Sequence, residues 1–244
     1  MRLLAVVSYN GTNYAGWQKQ PDKISVQETI EGALSKFFNT EITIYGSGRT
    51  DAGVHALGQT FHFDVDRKEI DISRLIYSLN SMLPEDIYIE DMEEVDEDFH
   101  ARYSVKEKAY GYTIILREKD VLLYQIAYAC PYKLDIDLTE KALNLFKGKH
   151  NFKNFTSKEE DQDNFVREIY EINVEYNNET INIIFRGNGF MRYMIRFMVG
   201  TAIEVGRRRM TLEEVDDLLN EDSPRTVVSA KAPASGLVLL DVKY

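Results

Sequence analysis

An α+β fold in which a β-α-β-β-α-β unit occurs twice in tandem is predicted, giving two ferredoxin-like halves whose helix-covered sheets meet around a central cleft. Three observations predict it. Apolar residues alternate with period two in short runs on both sides of the chain's midpoint, the signature of half-buried strands. Between them, apolar residues recur every three or four positions, as on one face of a helix. The order in which the two periods follow one another is the same in both halves. No low-complexity linker separates them, so they are expected to pack as one body, divided at 1–100 and 101–244.

The first half opens with an apolar strand near Leu3 to Ser8. In SVQETIEGALSKFF, Ser25 with Glu28 makes a capping-box start, and Ile30, Ala33, Leu34 and Phe37 fall on one helical face. EITIYGSGR alternates as a strand. HALGQTFHFDVD is a second one, with Phe61 and Phe63 on one face and His62 on the other. DISRLIYSLNSMLP is a helix ended by Pro84, and IYIEDMEEV is a strand. In the second half KAYGYTIIL is a strand, and DIDLTEKALNLFKGKHN holds a helix closed near Gly148. REIYEINVEYN and ETINIIFRGN form a hairpin across Asn177-Asn178. GFMRYMIRFMVGTAIEVG is a long apolar helix, MTLEEVDDLLNED a short extra one, and SGLVLLDVKY the closing strand.

The 44% hydrophobic and 28% charged residues are the balance of an ordinary soluble chain. The apolar run at the N-terminus is too short for a signal peptide, and no stretch approaches the ~18 residues of a membrane span. The one cysteine, Cys130, has no internal partner, which fits a reducing cytoplasm and a buried structural thiol. A net charge of −11 excludes a protein that coats nucleic acid non-specifically, but it leaves room for a local basic groove. Acid is concentrated in PEDIYIEDMEEVDEDFH, KEEDQDN and EEVDDLLNED, which read as solvated faces and loops. Bases gather elsewhere: Arg102, Lys106 and Lys108; Arg192 and Arg196; and Arg207, Arg208 and Arg209.

The stretch GRTDAGVHA, Gly48 to Ala56, places Arg49 and Asp51 in a glycine-flanked turn. Three readings of it stand open on the residues alone. It is a tight turn bearing a surface ion pair worth about 0–1 kcal/mol. Or Asp51, His55 and His62 are metal ligands, although they have no recognised zinc spacing. Or Asp51 is a reactive carboxylate held ionised by Arg49, with glycines admitting a substrate backbone.

GRTDAGVHALGQ resembles the signature of the bacterial tRNA pseudouridine synthase A family, in which the aspartate is catalytic. The rest of the chain carries the same resemblance in order. SYNGTNYAGWQKQ is similar to the family's N-terminal strand and turn, with Asn10 where an aspartate is usual. ARYSVKEKAYGYTI resembles the segment of the active-site tyrosine, matched by Tyr110. GNGFMRYMIRFMVGTAIEVG resembles the helix of the active-site arginine, matched by Arg196, and APASGLVLLDVKY resembles the C-terminal strand. The resemblance runs from about Ser8 to Tyr244.

It implies a continuous, mainly antiparallel sheet with helices on one side, and isomerisation of uridine to pseudouridine in the anticodon stem-loop of tRNAs, at positions 38–40. It implies Asp51 as catalytic group, Arg196 as its ion-pairing cation, Arg49 as the residue that helps extrude the nucleotide, and Tyr110 against the flipped base. No metal or organic cofactor is implied; the expected partners are tRNA and a second copy of the chain. Lys106, Lys108, Arg192, Arg207, Arg208 and Arg209 are candidates for position-setting phosphate contacts. His55 and His62 are expected as core or hydrogen-bonding histidines, and Trp17 as structural. The rival from another class is a non-catalytic RNA-binding or folding protein of the same fold.

Overall fold

Backbone hydrogen bonding sorts the described residues, 1–157 and 164–244 of a computed structural model, into strands and helices in the alternating order that the pattern predicts. Most of the acidic run KEEDQDN, residues 158–163, lies outside the described residues. Two compact units result: Met1–Lys106 with Val238–Tyr244, and Glu107–Leu237.

The first unit runs β1 (Arg2–Tyr9), α1 (Val26–Phe38), β2 (Tyr45–Gly46), β3 (His55–Asp64), α2 (Ile72–Met82) and β4 (Ile87–Val95). β1 lies between β3 and β4, antiparallel to both. Leu3 pairs with Phe63 and Ala5 with Phe61, and all four side chains are fully buried. Phe38 of α1 packs its ring 6.4 Å from that of Phe63, while Ile30 and Leu34 close the same core. Ser25 caps α1 by accepting the Glu28 N–H at 3.3 Å.

Two expectations change here. The strand expected over EITIYGSGR is reduced to Tyr45–Gly46. Its alternation is real, with Ile42 and Ile44 buried and Thr43 exposed. Its backbone, however, bonds to side chains of the helix: Ile42 N–H donates to Ser35 Oγ, Ile44 N–H to Glu31, and Gln27 donates to the Ile44 carbonyl. The polar face of α1 thus replaces a partner strand. The closing strand β10 (Leu237–Lys243), assigned by the sequence repeat to the second half, runs parallel to β3 in the first unit, Val238 opposite His55 and Leu239 opposite Ala56.

The second unit contains β5 (Glu107–Ile115), β6 (Tyr128–Ala129), α3 (Ile136–Asn144), β7 (Gly148–Asn151), β8 (Val166–Asn177), β9 (Thr180–Gly187), α4 (Met194–Gly206) and α5 (Leu212–Leu219). β5, β9, β8 and β7 pair antiparallel in that order. The β8–β9 turn is held by Asn177, whose side-chain oxygen accepts from the Glu179 and Thr180 N–H groups. β6 and β7 are additions to the expected pattern. They are too short to show a period of their own and exist through pairing with β5 and β8. The long apolar helix starts at Met194, not at Gly189, because Tyr193 sits in the left-handed region at φ +63° and breaks the helical path. Cys130 is 1% exposed, and burial pushes its thiol up, as suits a structural cysteine.

Candidate active site

The turn carrying Asp51 is held in place by the chain's N-terminal segment. The Tyr9 hydroxyl, fully buried, shares a 2.8 Å hydrogen bond with Thr50 Oγ1, and burial keeps that phenol neutral. Trp17 N–H donates to the Thr50 carbonyl at 3.1 Å, and Gly53 N–H to the Tyr14 carbonyl at 3.4 Å. Val54 N–H closes back on the Asp51 carbonyl at 3.1 Å. On the other flank Gln59, fully buried, accepts from Ser47 Oγ and donates to the Gly48 carbonyl. The approach needs glycine. Gly16 sits at φ +97°, where a Cβ would lie 2.5 Å from the Thr50 oxygen, and Gly53 sits at φ +77°. Trp17 is 2% exposed between the rings of Tyr9 and Phe61, which is a structural role.

Asp51 itself is half-buried at the tip of this pinned turn. Arg49 is exposed and donates through Nε to Gln18 at 3.1 Å. Asn10 serves locally as the usual aspartate would, because its side-chain oxygen accepts from Thr12 N–H at 3.1 Å and caps a short turn. His55 Nδ1 accepts from Gly11 N–H, and His62 Nδ1 from Ala101 N–H, each at 3.1 Å. Both histidines are therefore bound into the frame as acceptors.

In the second unit, Tyr110 lies on β5 opposite Phe185, 8% exposed, with its ring edge-on to Phe190 at 5.2 Å. Tyr112, two residues on, donates to the Pro233 carbonyl at 2.8 Å. Arg196, in the first turn of α4, donates through Nε to the Ala232 carbonyl at 2.8 Å and accepts the Ala232 N–H on its own carbonyl at 2.9 Å. Its guanidinium lies 5.2 Å from the Tyr193 ring centre.

The remaining cations divide. Lys106, Arg192 and Arg209 are exposed. Lys108 is 9% exposed within β5, and Arg207 pairs with Glu204 at 2.6 Å and lies 3.5 Å over Tyr132. Arg207 is held by Glu204, one helical turn earlier, and by Tyr132, distant in sequence. Arg208 pairs with Asp135 at 2.8 Å while staying exposed. One cation went unmarked in the sequence, Lys231, whose ammonium lies 4.2 Å from the same Tyr193 ring. A lone lysine before the closing strand carries no pattern that would single it out.

A sequence profile of the tRNA pseudouridine synthases matches residues 5–104 and 142–244. The chain belongs to this family. It is 40% identical to the tRNA pseudouridine synthase A of Caldicellulosiruptor bescii, an alignment covering 99% of both chains. The enzyme of the same name from Anoxybacillus flavithermus is 40% identical over the whole chain and 98% of that protein, and the one from Streptococcus mutans 38% over the whole chain and 99%. These full-length alignments place it among the tRNA pseudouridine synthases A. Arg49, Asp51, Arg192, Arg196 and Lys231 all fall within the profile-matched segments, whereas Lys106, Lys108 and Tyr110 lie between them.

Proposed function

We propose that this chain isomerises uridine to pseudouridine in the anticodon stem-loop of tRNA, at positions 38–40, with Asp51 as the reacting carboxylate. The N1–C1′ glycosidic bond breaks, the uracil turns while held, and a C5–C1′ bond forms; the C5 proton leaves and N1 gains one. No outside reactant enters, so the detached base must be retained and water kept away. Asp51 either attacks the sugar or removes a proton from it. Each route needs an ionised carboxylate at a fixed position, and the observation that carries the reading is the pinned turn around Asp51. A misplacement of about 1 Å there would cost on the order of 10²-fold in rate.

Arg196 is assigned to keep the carboxylate ionised against desolvation. Tyr110 is assigned to the flipped uracil, by stacking or by relaying the C5 proton. Arg49, exposed and held by Gln18 through Nε alone, suits a contact with the extruded nucleotide and its phosphate. Extrusion costs a few kcal/mol, regained in the pocket. Lys106, Arg192 and Arg209, exposed and without a carboxylate partner within ion-pairing distance among the described residues, are the cations for the surrounding backbone. A homodimer working in the cytoplasm completes the proposal.

The test is tritium release from tRNA labelled at C5 of uridine. Wild-type protein should release it and Asp51→Ala should not, while tRNA affinity stays within about threefold. Equal release by the variant, or none by a wild type that binds tRNA, overturns the assignment.

A further inference from the structure

Tyr193 gathers three cations: Lys231 Nζ at 4.2 Å from its ring centre, Arg192 Cζ at 4.8 Å and Arg196 Cζ at 5.2 Å. Arg192 also donates to the Tyr193 hydroxyl at 2.9 Å. Like charges collected on one ring repel, and the ring's quadrupole offsets this only in part.

Several arginines elsewhere are neutralised by carboxylates. Arg2, Arg117, Arg186, Arg207 and Arg208 each pair with a carboxylate. With 40 acidic residues against 29 basic, carboxylate partners are abundant in the chain. Among the described residues, neither Arg192 nor Lys231 has one within ion-pairing distance.

The backbone is shaped to hold this arrangement. Tyr193 takes φ +63°, an uncommon and costly choice for an aromatic residue. Thr156 Oγ1 donates to the Arg192 carbonyl at 3.1 Å, fixing the entry to α4. On either side of Lys231 the chain is clasped to the same helix. Ala232 exchanges hydrogen bonds with Arg196, and Gly200 approaches so closely that a Cβ would lie 2.3 Å from the Ala230 oxygen. α4 has no side-chain cap at its N-terminus, so the positive end of the helix adds to the same field.

We propose that Arg192 and Lys231, spread on the Tyr193 ring, form a binding site for a phosphate of the RNA backbone. This deepens the function proposed above and rests on it for the identity of the anion as RNA. Arg196 shares the ring, so the phosphate belongs to the target nucleotide or to one flanking it. Tyr193 is a positioning residue: its ring and hydroxyl set where the two cationic heads stand.

Binding of full-length protein to tRNA, measured against salt concentration, tests this. Arg192→Ala and Lys231→Ala should each weaken binding about tenfold and lower the slope of log affinity against log salt by about 0.7–0.9. Arg192→Lys and Lys231→Arg should restore most of the slope. Tyr193→Phe should bind more tightly than Tyr193→Leu, since it keeps the ring. Inorganic phosphate should compete with tRNA on the wild type and lose that effect on the double alanine variant.

Slopes equal to wild type in both alanine variants would overturn the site. Phosphate competition lost in the double variant with an unchanged tRNA slope would mean a free anion binds there, and would overturn the RNA assignment. Pseudouridine formation by the wild type, run in parallel, separates the two proposals. If it is absent, the isomerase reading fails while the salt slopes still decide the phosphate site.

Discussion

The turn at Asp51 and the entry to α4 at Tyr193 solve opposite problems. Around Asp51 the fixing groups are uncharged: a buried phenol, a buried glutamine, a tryptophan N–H and glycines at positive φ. Neutral hydrogen bonds in a low-dielectric frame set the backbone without imposing charge on the carboxylate. Around Tyr193 the neighbours are cations and the backbone is itself strained. On the roles proposed above, one region fixes geometry for a reacting group and the other gathers positive charge for a phosphate. A single motif scan finds the first because its residues are contiguous, whereas the second is assembled from positions 192, 193, 196 and 231.

The difference can be broken most severely at Asp51. Asp51→Asn keeps size and polarity but removes the charge, and should lower pseudouridine formation by at least about 10³-fold with little change in melting temperature. Retained activity would mean the pinned turn serves something other than catalysis. Next comes the frame. Gly16→Ala forces a Cβ to 2.5 Å from the Thr50 oxygen at φ +97°, and should cost about 2–4 kcal/mol in denaturant unfolding. A loss under ~1 kcal/mol would show that the turn is looser than its hydrogen bonds indicate.

A smaller effect follows from His62, which burial chiefly, and then the charges of His100 and Arg2, push down to about 4. The folded state therefore resists protonating it while the unfolded chain accepts a proton below about pH 6.5. Stability should fall as pH drops from 6.5 towards 4, by up to about 3 kcal/mol. His62→Gln should flatten this slope in urea titrations at several pH values; an unchanged slope would assign it to other groups. The smallest effect is expected for Asn10→Asp, which restores the residue usual in the family. Both side chains supply the oxygen that caps the Thr12 turn, so stability should move by less than about 0.5 kcal/mol. A larger gain would mean that the carboxylate's charge matters there.

Much of this was legible in the order of residues. Strands and helices of the first unit follow from local periods of two and of three to four, and the Ser25 cap lies where its motif predicts. The family itself was legible in the motif GRTDAGVHALGQ, because a contiguous stretch carries it. Left undetermined were features that depend on residues far apart in the chain. The stretch Ile42–Ile44 alternates like a strand, but α1's side chains supply its partners. The exposed arginine of the motif bonds Gln18, a residue 31 positions away that no local window places beside it.

What the sequence determines by itself is therefore most elements, their order and the family motif, since each is written in neighbouring residues. Only the tertiary structure decided that β10 lies beside β3, that Lys108 and Arg207 are drawn inward, and that Lys231 joins Arg192 on one tyrosine ring. Burial and charge are sums over everything that folding brings near, and no short window of sequence contains those neighbours.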